Sequence, residues 1–401
     1  MKKIGIVGLG YVGLAVKTAF QDKVKVEVFD TNKSLATVDS LESLVERVNM
    51  IFICLPTPMN KDGSCNISIV YNVIKEIDAI SKDKKTVAIK STIPPGTTDL
   101  LDRECLNIDV LFNPEFLTEL NFINDFKNQN RIIIGGTPEA SGKLRQLYSL
   151  VFPNIPIIKT KSNIAEFVKY FTNTFLATKV AFANEMKKIC DELQIDYDKV
   201  VEYSIYDKRL GNSHWAVPGP DGKNGFGGSC FPKDIQAILD YAKKNKIKTP
   251  LLNAILEINE ERPNKMVTLS ESILGTLKNK RVSILGLTFK PETDDLRSSP
   301  ALDAIEILLE KGANISTFDP IIKSKPDLVK LPNECKICFK IEDALRDSDA
   351  IMIFTKWPEF KSLDTKFLKQ FMKNPIIIDG RGFLDKEKFD AGTYFKIGYS
   401  E

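Results

Sequence analysis

The sequence predicts an α/β protein with two doubly wound domains joined by a long central helix and a helical middle region. Short β-branched segments alternate with amphipathic segments over the first 160 or so residues, which is the rhythm of βαβ units. A helix-length stretch without Gly or Pro follows, and the strand rhythm restarts near Lys280. At 401 residues the chain is too long for one ordinary core, so more than one domain is expected.

The first α/β region contains six strand-like segments, KKIGIVGLG, KVEVFD, NMIFICLP, TVAIKST, DVLFNPE and RIIIGG. From Ser162 to about Ile195 we predict a single long helix, because neither Gly nor Pro interrupts the stretch. A helix of this length usually connects domains or forms a dimer interface.

Helical segments continue to about Leu274, and a second α/β region then runs through KRVSILGLTFK, ANISTFD, DAIMIFT and PIIIDGR. We therefore predict three domains: a Rossmann-like domain over residues 1–160, a central helical domain over 161–275 and a second Rossmann-like domain over 276–401.

Composition argues against several classes of function. The chain is 43% hydrophobic and 27% charged with a net charge of +3, so nucleic acid is not expected as its main partner. Its longest apolar runs have the length of strands and no signal peptide precedes the first strand, which predicts a cytoplasmic protein without membrane association.

Seven scattered cysteines suit reduced thiols. Cys335 and Cys338 form a lone CxxC without a second pair or a nearby histidine, so we predict strand packing and no metal site.

The segment GLGYVG places Gly8, Gly10 and Gly13 in a G-x-G-x-x-G pattern between a strand and a helix. These glycines permit a tight turn and the close approach of a pyrophosphate to the helix N-terminus. Asp30 ends the next strand, where a carboxylate can accept hydrogen bonds from both ribose hydroxyls and favours NAD over NADP. Another nucleotide, such as FAD, is the alternative.

Polar loops follow two further strands, LPTP and STIPPGTT. Since ligands of a doubly wound sheet bind at the carboxyl ends of its strands, Thr57 and Thr92 are expected on the cofactor side, with helix capping as the alternative role. The segment NPEFLTE presents Glu115 and Glu119 four residues apart. If it is helical, both carboxylates share a face, and a solvated face is the alternative.

Lys169 and Asn173 are spaced i, i+4 on the long helix among aromatic and apolar neighbours. Such polar residues need a partner or a function. One interpretation is an ion pair or hydrogen bond to a neighbouring domain. The other is a cation and an amide donor directed at an oxygen that becomes negatively charged during a reaction.

Cys230 lies in GFGGSCFPKD, where glycines let the backbone approach a bound group and a proline predicts the start of a helix. A helix N-terminus favours the thiolate, which is the nucleophilic form of cysteine. Asp234 lies one turn further on. A buried, inert thiol in a glycine-rich turn is the alternative. Since His214 is the only histidine, general acid–base chemistry more plausibly uses Lys, Asp, Glu or water.

Taken together, these motifs resemble the UDP-glucose/GDP-mannose dehydrogenase family over nearly the whole chain. In family order they are GLGYVGL, STIPPGTT, NPEFLTE, KYFTNTFLATKVAFANE, GFGGSCFPKD, LGLTFKPETDDLRSSPA and DGR. The resemblance implies a four-electron oxidation of the C6 alcohol of UDP-glucose to UDP-glucuronate, with two NADH formed per sugar. It also implies that the first domain binds NAD and the last binds the UDP-sugar.

The resemblance further implies the role of each catalytic residue. Cys230 is the nucleophile that holds the intermediate, Lys169 and Asn173 stabilise an oxyanion, Asp234 assists with a water, and Glu115 positions that water. Thr92 is implied both in catalysis and near the nicotinamide.

Binding residues follow from the same resemblance. Those implied for NAD are Gly8, Gly10, Tyr11, Val12, Gly13, Asp30, Lys33, Thr57, Thr92, Glu119, Lys233 and Arg297. Those implied for the substrate are Glu115, Phe116, Leu117, Lys169, Asn173, Arg209, Gly227, Lys290 and Arg381. Among these, Lys290 and Arg381 hold the UDP phosphates and ribose, and Arg209 reaches the site of the partner in a homodimer.

Two alternatives remain open from the sequence. The first is a related dehydrogenase that acts on GDP-mannose or on a UDP-N-acetylhexosamine. The second is a non-catalytic nucleotide-binding protein of the same fold, although the joint presence of Cys230, Lys169, Asn173 and Asp234 argues against it.

Overall fold

The structure is a computed structural model that describes residues 3–60, 62–118, 121–217, 219, 224–228, 230–260, 265–288, 291–294, 296 and 299–396. The chain divides into two compact units. The first unit comprises Met1–Leu176 and Cys230–Asn253, and the second comprises Ala177–Ser229 and Ala254–Glu401. The predicted three-domain division, with boundaries at 160 and 275, stays a prediction.

The strands of the described residues are β1 (Lys3–Val7), β2 (Lys25–Phe29), β3 (Met50–Ile53), β4 (Lys85–Ile89), β5 (Ile108–Phe112), β6 (Ile132–Gly135), β7 (Ile157–Thr160), β8 (Arg281–Leu285), β9 (Asn314–Phe318), β10 (Cys335–Ile337), β11 (Ala350–Ile353), β12 (Ile377–Asp379) and β13 (Tyr394–Lys396). The α-helices are α1 (Tyr11–Phe20), α2 (Leu41–Arg47), α3 (Ser68–Ile80), α4 (Thr97–Glu104), α5 (Phe122–Lys127), α6 (Pro138–Val151), α7 (Ser162–Glu192), α8 (Tyr197–Ser204), α9 (Phe231–Lys244), α10 (Pro250–Glu260), α11 (Lys265–Leu274), α12 (Pro300–Glu310), α13 (Ile341–Leu345) and α14 (Thr365–Phe371).

A seven-stranded sheet in the order β2-β1-β3-β4-β5-β6-β7 forms the centre of the first unit. The first five strands in this order are parallel to one another, and β6 meets β5 antiparallel. The order reverses at β1, and the carboxyl ends of β1 and β3 are therefore where a doubly wound sheet is expected to bind a ligand. All six predicted strands are present, and β7 is an addition to them.

Both faces of this sheet are buried. On β3, Ile51 and Ile53 pack into the core on one face, whereas Met50 and Phe52 pack into the core on the other. Because helices cover both sides, the strands are continuous apolar runs in the sequence, as is typical of parallel sheets. This confirms the predicted α/β doubly wound class for the first unit.

The second unit contains a six-stranded sheet, counted over the described residues, in the order β10-β9-β8-β11-β12-β13. All of its pairings are parallel, which confirms a second Rossmann-like sheet. Cys335 lies in β10 and Cys338 is buried in the core beside it, so the interpretation of the CxxC as strand packing is confirmed.

The long helix α7 spans 31 residues and ends at Glu192, three residues before the predicted end. The boundary between the two units falls inside it, after Leu176. No helix in the described ranges is both long and apolar enough to cross a membrane. The same ranges contain no group of three or more His, Cys, Asp or Glu side chains arranged to hold a metal ion.

Candidate active site

The glycine-rich turn between β1 and α1 requires its glycines. Gly8 has φ +88°, and a Cβ there would lie 2.7 Å from the carbonyl oxygen of Cys54. A Cβ on Gly13 would lie 2.0 Å from the carbonyl oxygen of Gly8. Any larger residue at this position would therefore push the helix away from the turn. At Gly10, the N-cap of α1, a Cβ would meet no other part of the described chain within 4 Å, its immediate sequence neighbours aside. The helix N-terminus therefore has an open side that fits a pyrophosphate.

Asp30 fixes this turn as well as ending the β2 segment. Its Oδ2 accepts a hydrogen bond from the N–H of Leu9 at 2.7 Å, and its Oδ1 accepts one from the N–H of Asn32 at 2.8 Å. Carboxylate oxygens have further lone pairs, so ribose hydroxyls can still donate to them. Lys33 lies close by in sequence and donates to the carbonyl oxygen of Asp39 at 2.8 Å. Tyr11 and Val12 begin α1.

The loops after β3 and β4 are tied to each other. Ser91 donates to the carbonyl oxygen of Leu55 at 2.6 Å, and the Cys65 thiol donates to the carbonyl oxygen of Thr92 at 3.6 Å. Thr57 is buried in the first of these loops. The structure therefore places Thr57 and Thr92 at the carboxyl edge of the sheet, as the strand pattern predicts.

Glu166, which the sequence analysis missed, fixes the Thr92 loop to helix α7. Its carboxylate accepts hydrogen bonds from the N–H of Gly96 at 2.6 Å and from the N–H of Thr98 at 2.8 Å. The Thr98 hydroxyl donates a third bond at 2.6 Å. Burial raises the pKa of Glu166 despite these hydrogen bonds. The spacing of Glu166 and Lys169, three residues apart on one helix, was the signal that could have indicated it.

Lys169 and Glu115 form a buried ion pair. The Lys169 ammonium donates to the Glu115 carbonyl oxygen at 2.9 Å and to Oε1 at 2.8 Å, and the N–H of Leu117 donates to Oε2 at 2.7 Å. Burial raises the pKa of Glu115, but the attraction of Lys169 outweighs it and the net pKa lies below its usual value. Burial likewise lowers the pKa of Lys169, but Glu115 and Asp234 outweigh it and the net pKa lies above its usual value.

The backbone around Glu115 is not helical, which corrects the conditional expectation that Glu115 and Glu119 share a helical face. Residues 113–118 are irregular, and the next helix starts only at Phe122. Glu119 lies outside the described residues.

Asn173 and Asp234 form a second buried pair. The Asn173 amide donates to Oδ2 of Asp234 at 2.6 Å, and the Lys233 ammonium donates to Oδ1 at 2.5 Å. Asp234 is 1% exposed and lies in the first turn of α9. Lys233 was predicted to contact the cofactor, and here its ammonium neutralises this carboxylate.

Cys230 is the N-cap of α9, which confirms the predicted position of the thiol at a helix N-terminus. It is half-buried, and its carbonyl oxygen accepts the N–H of Asp234 at 2.9 Å. It is also one of the groups whose negative charge, when ionised, raises the pKa of Lys169. The structure therefore brings Cys230, Lys169, Asn173, Asp234 and Glu115 together within the first unit.

The remaining predicted residues lie in several places. Phe116 is stacked by the Arg131 guanidinium, 4.2 Å from its ring centre. Gly227, Arg209 and Arg381 lie in the second unit. The Arg209 side chain is 88% exposed and pairs with Asp207, and the Nε of Arg381 donates to the Phe354 carbonyl oxygen at 2.7 Å. Lys290 and Arg297 lie outside the described residues.

Three profiles of one family match the chain. They are the NAD binding domain of the UDP-glucose/GDP-mannose dehydrogenase family over residues 26–152, its central domain over 163–261 and its UDP binding domain over 283–386. NAD is therefore the cofactor, in agreement with the open glycine turn at the N-terminus of α1.

Individual proteins match over nearly their whole length. UDP-glucose 6-dehydrogenase TuaD of Bacillus subtilis (strain 168) is 33% identical, with 98% of this chain and 92% of the relative covered. A UDP-glucose dehydrogenase structure from Pyrobaculum islandicum has a TM-score of 0.82 at 30% identity and covers 100% of this chain and 98% of its own. A UDP-D-ManNAc dehydrogenase structure from Pyrococcus horikoshii has a TM-score of 0.75 at 26% identity, with 98% and 99% covered. The chain therefore belongs to the UDP-glucose/GDP-mannose dehydrogenase family.

Proposed function

We propose that this chain oxidises UDP-glucose to UDP-glucuronate in two hydride transfers to NAD, with the intermediate held covalently on Cys230. The observation that carries the proposal is the position of Cys230 at the N-terminus of α9, in the same unit as the Lys169–Glu115 and Asn173–Asp234 pairs. The names of the relatives in Bacillus subtilis and Pyrobaculum islandicum support UDP-glucose as the substrate.

The reaction balances as one alcohol, two NAD⁺ and one water giving one carboxylate, two NADH and three protons. When bound, NAD accepts the hydride that leaves C6 in each oxidation. After the first, the Cys230 thiolate adds to the aldehyde carbon, a C–S bond forms and the carbonyl electron pair moves to oxygen. The second hydride loss restores the C=O bond as a thioester. Attack by water then breaks the C–S bond, and Cys230 leaves as a thiolate.

The two pairs retain donors for the oxyanion of the thiohemiacetal. Among the described residues, Lys169 uses two of its three ammonium protons on Glu115. Asn173 uses one of its two amide protons on Asp234. One proton of each group therefore remains for an oxygen that becomes negatively charged, which is the arrangement of an oxyanion hole. Thr92, on the loop that Glu166 fixes, is proposed at the nicotinamide side of this centre.

Glu115 and Asp234 are the carboxylates available to the hydrolytic water. Glu115 is held by Lys169 and by the N–H of Leu117, so its orientation is fixed. Because its pKa lies below the usual value, it is ionised at neutral pH and can accept a hydrogen bond from the attacking water. Asp234 is oriented by Asn173 and Lys233, and we assign it an assisting role in the same step.

We further propose that the protein is a homodimer joined along α7. Six large apolar side chains recur at helical spacing on this helix and are each 46–65% exposed, namely Ile164, Phe167, Phe171, Phe175, Phe182 and Ile189. They extend over about 38 Å at the rise of an α-helix. A second copy can cover such an aromatic surface through its own identical surface. Arg209, whose side chain is 88% exposed, is proposed to reach the substrate of the partner.

A related substrate is the alternative. The structural similarity to a UDP-D-ManNAc dehydrogenase from Pyrococcus horikoshii supports a UDP-N-acetylhexosamine as the competing sugar. All catalytic side chains proposed above act on C6 alone, so they do not distinguish the two sugars.

The test is an NADH-formation assay over UDP-glucose, GDP-mannose and UDP-N-acetylhexosamines, with NADH counted per sugar consumed. We expect two NADH per UDP-glucose and no free aldehyde in a hydrazine trapping assay, since the thiohemiacetal is not released. One NADH per sugar, or accumulation of aldehyde, contradicts the covalent route. Preferential turnover of an N-acetylhexosamine contradicts only the assignment of the sugar.

A further inference from the structure

Lys90 is a buried lysine for which the proposed mechanism has no role. It directly follows β4 at the carboxyl edge of the sheet, and it is 2% exposed. Its ammonium donates to the carbonyl oxygen of Asn113 at 3.1 Å, to Oδ1 of Asn113 at 3.0 Å and to the hydroxyl of Tyr148 at 3.4 Å. Within the described residues no carboxylate lies within ion-pair distance of it. Burying a cation among neutral acceptors is costly, so its charge requires a reason.

Asn113, the main partner of Lys90, has all of its polar groups engaged. Its N–H donates to the carbonyl oxygen of Ile89 at 2.8 Å, and its amide donates to that of Ile133 at 2.7 Å. The Tyr148 hydroxyl donates to Oδ1 at 2.5 Å. Asn113 therefore joins β4, β6 and α6 at the point where β5 ends. Only Pro114 separates it from Glu115, so the position of Asn113 sets the start of the Glu115 segment.

Four titratable groups surround the Lys90 ammonium, each from a different part of the fold. They are Cys54 after β3, Glu115 after β5, Tyr148 on α6 and Lys169 on α7. Burial lowers the pKa of Lys90 to about 8, although Cys54 and Glu115 act in the opposite direction. Burial raises the pKa of Cys54 to about 12, and it also raises that of Tyr148, so both are neutral at pH 7. Glu115 is therefore the anion among these four groups. Lys169 and Lys90 both lower its pKa.

We propose that Lys90 is a positioning residue for Glu115, in that its buried ammonium fixes the Asn113–Glu115 segment and supplies part of the positive charge that stabilises the Glu115 carboxylate. What Glu115 then does to the hydrolytic water rests on the proposed function. The effect of Lys90 on Glu115 does not, because it follows from contacts within the first unit itself.

The first test measures the ionisation of Glu115 without substrate. The carboxylate band of Glu115 is taken from the infrared difference between the wild type and Glu115→Gln, and is followed with pH with and without Lys90→Met. We expect the Glu115 transition to move to higher pH in Lys90→Met, because the carboxylate loses part of its stabilising charge. An unmoved transition in a folded Lys90→Met protein overturns the proposal, whatever sugar the enzyme uses.

The second test measures turnover of the sugar on which the wild type is active. We expect Lys90→Met to lower kcat by about ten- to a hundredfold, because the Glu115 segment loses its fixed position. The acid limb of the kcat/KM profile should move to higher pH. Tyr148→Phe removes one hydrogen bond to Asn113 but keeps the charge of Lys90, so the acid limb should not move. An acid limb that moves equally in both variants overturns an electrostatic role.

Lys85→Met is the matched control. Lys85 lies at the opposite end of β4, is 4% exposed and donates to the side chain of Asn49 at 3.2 Å. It is therefore a buried lysine at the other end of the same strand, distant from Glu115, whereas Lys90 follows the carboxyl end. The removal of Lys85 should leave the acid limb unchanged. If Lys90→Met does not fold, Lys90→Gln serves instead, because it removes the charge and keeps a donor to Asn113. An unshifted Glu115 transition in that variant also overturns the proposal.

Discussion

Cys230, which we propose as the nucleophile, lies where the local structure favours a thiolate. Its position as N-cap of α9 places the thiol at the positive end of the helix dipole. Lys169 adds a buried positive charge, whose pKa is raised in part by Cys230. A helix N-terminus and a nearby cation are both features that favour a thiolate, and they are the reason why we propose Cys230 as the nucleophile.

Cys230→Ser separates these two roles. Serine keeps the size of the side chain, but its hydroxyl is a poor nucleophile without an adjacent base, and an ester hydrolyses less readily than a thioester. We expect the variant to fold and to bind NAD, to form about one or two NADH per site and then to stall. Rapid-quench measurement of NADH per site checks this. Cys335→Ser, which changes a half-buried thiol in β10, is the control and should turn over normally. Steady-state turnover of Cys230→Ser at the wild-type rate would leave the thiol with a packing role only.

At the residue scale, the sequence predicts which side chains are unusual better than it predicts their partners. Lys169 and Asn173 are recognisable as polar residues on an apolar helix, but their partners lie 54 and 61 residues away in the chain. Such pairs depend on how the sheet and α9 fold against α7, which no local pattern contains. Lys90 was missed for the same reason, since its three hydrogen bonds are made to residues 23 and 58 positions away.

At the scale of secondary-structure elements, the contact between α4 and α7 positions the Thr92 loop. The N-cap of α4 is Gly96, whose φ of +92° suits glycine. Because glycine has no side chain, this residue cannot cap the helix through one. Glu166 of α7 instead supplies the acceptors for the N–H of Gly96 itself and for that of Thr98 in the first turn. A carboxylate from one helix thus caps another and fixes their relative position.

Glu166→Gln tests this cap. A glutamine has one acceptor oxygen and an amide that cannot accept, so the N–H of either Gly96 or Thr98 loses its partner, and we expect the free energy of unfolding to fall by about 1–3 kcal/mol. The pKa of Glu166 is raised in the folded state, mainly by burial. Its stabilising effect is therefore fully present below the unfolded pKa, near 4.5, and declines as pH rises through the folded pKa. The difference in the free energy of unfolding between wild type and Glu166→Gln should consequently become smaller as the pH rises from the unfolded pKa of Glu166 to its folded pKa.

Urea denaturation across this pH range gives the measurement. Glu76→Gln, at an exposed position of α3, is the control and should leave both stability and its pH dependence unchanged. A gap between wild type and Glu166→Gln that widens as the pH rises contradicts the sign of the argument.

The strands that lie outside the predicted strand segments are short and occupy sheet edges, although the CxxC pattern did indicate strand packing at β10. β7, β10 and β13 contain three or four residues each and form the outermost positions of their sheets. None of their residues is fully buried, so the apolar run that marks an inner strand is missing from their sequences. The inner strands, which carry the site at their carboxyl ends, were all predicted because burial on both faces requires them to be apolar.

At the scale of the whole molecule, the sequence predicts the bounds of α7 closely but leaves its role open. Its length indicated either a connection between domains or a dimer interface. The structure places a unit boundary inside the helix, and it also leaves six large apolar side chains exposed along it. Both interpretations are therefore compatible with one helix, and only the second predicts that active sites are shared between two chains.

Mixing two inactive variants decides whether sites are shared. Cys230→Ser lacks the nucleophile and Arg209→Ala lacks the guanidinium that we propose acts in the partner's site. In a mixed dimer, the subunit with intact Cys230 receives Arg209 from its partner, so one of the two sites is complete and the other lacks both groups. Random pairing makes about half of the dimers mixed, so co-refolding should restore about a quarter of wild-type activity.

If Arg209 instead acts within its own chain, each site of the mixed dimer lacks one group and no activity returns. Light scattering of each protein and of the mixture establishes the dimer independently. Lys208→Ala, which removes the neighbouring exposed cation, is the matched control and should be active before mixing. Recovery of activity requires both a dimer and an exchanged Arg209, whereas a monomer that is active at assay concentration rules out both. The complementation result therefore tests, in one measurement, whether the protein is a dimer and whether Arg209 of one chain completes the active site of the other.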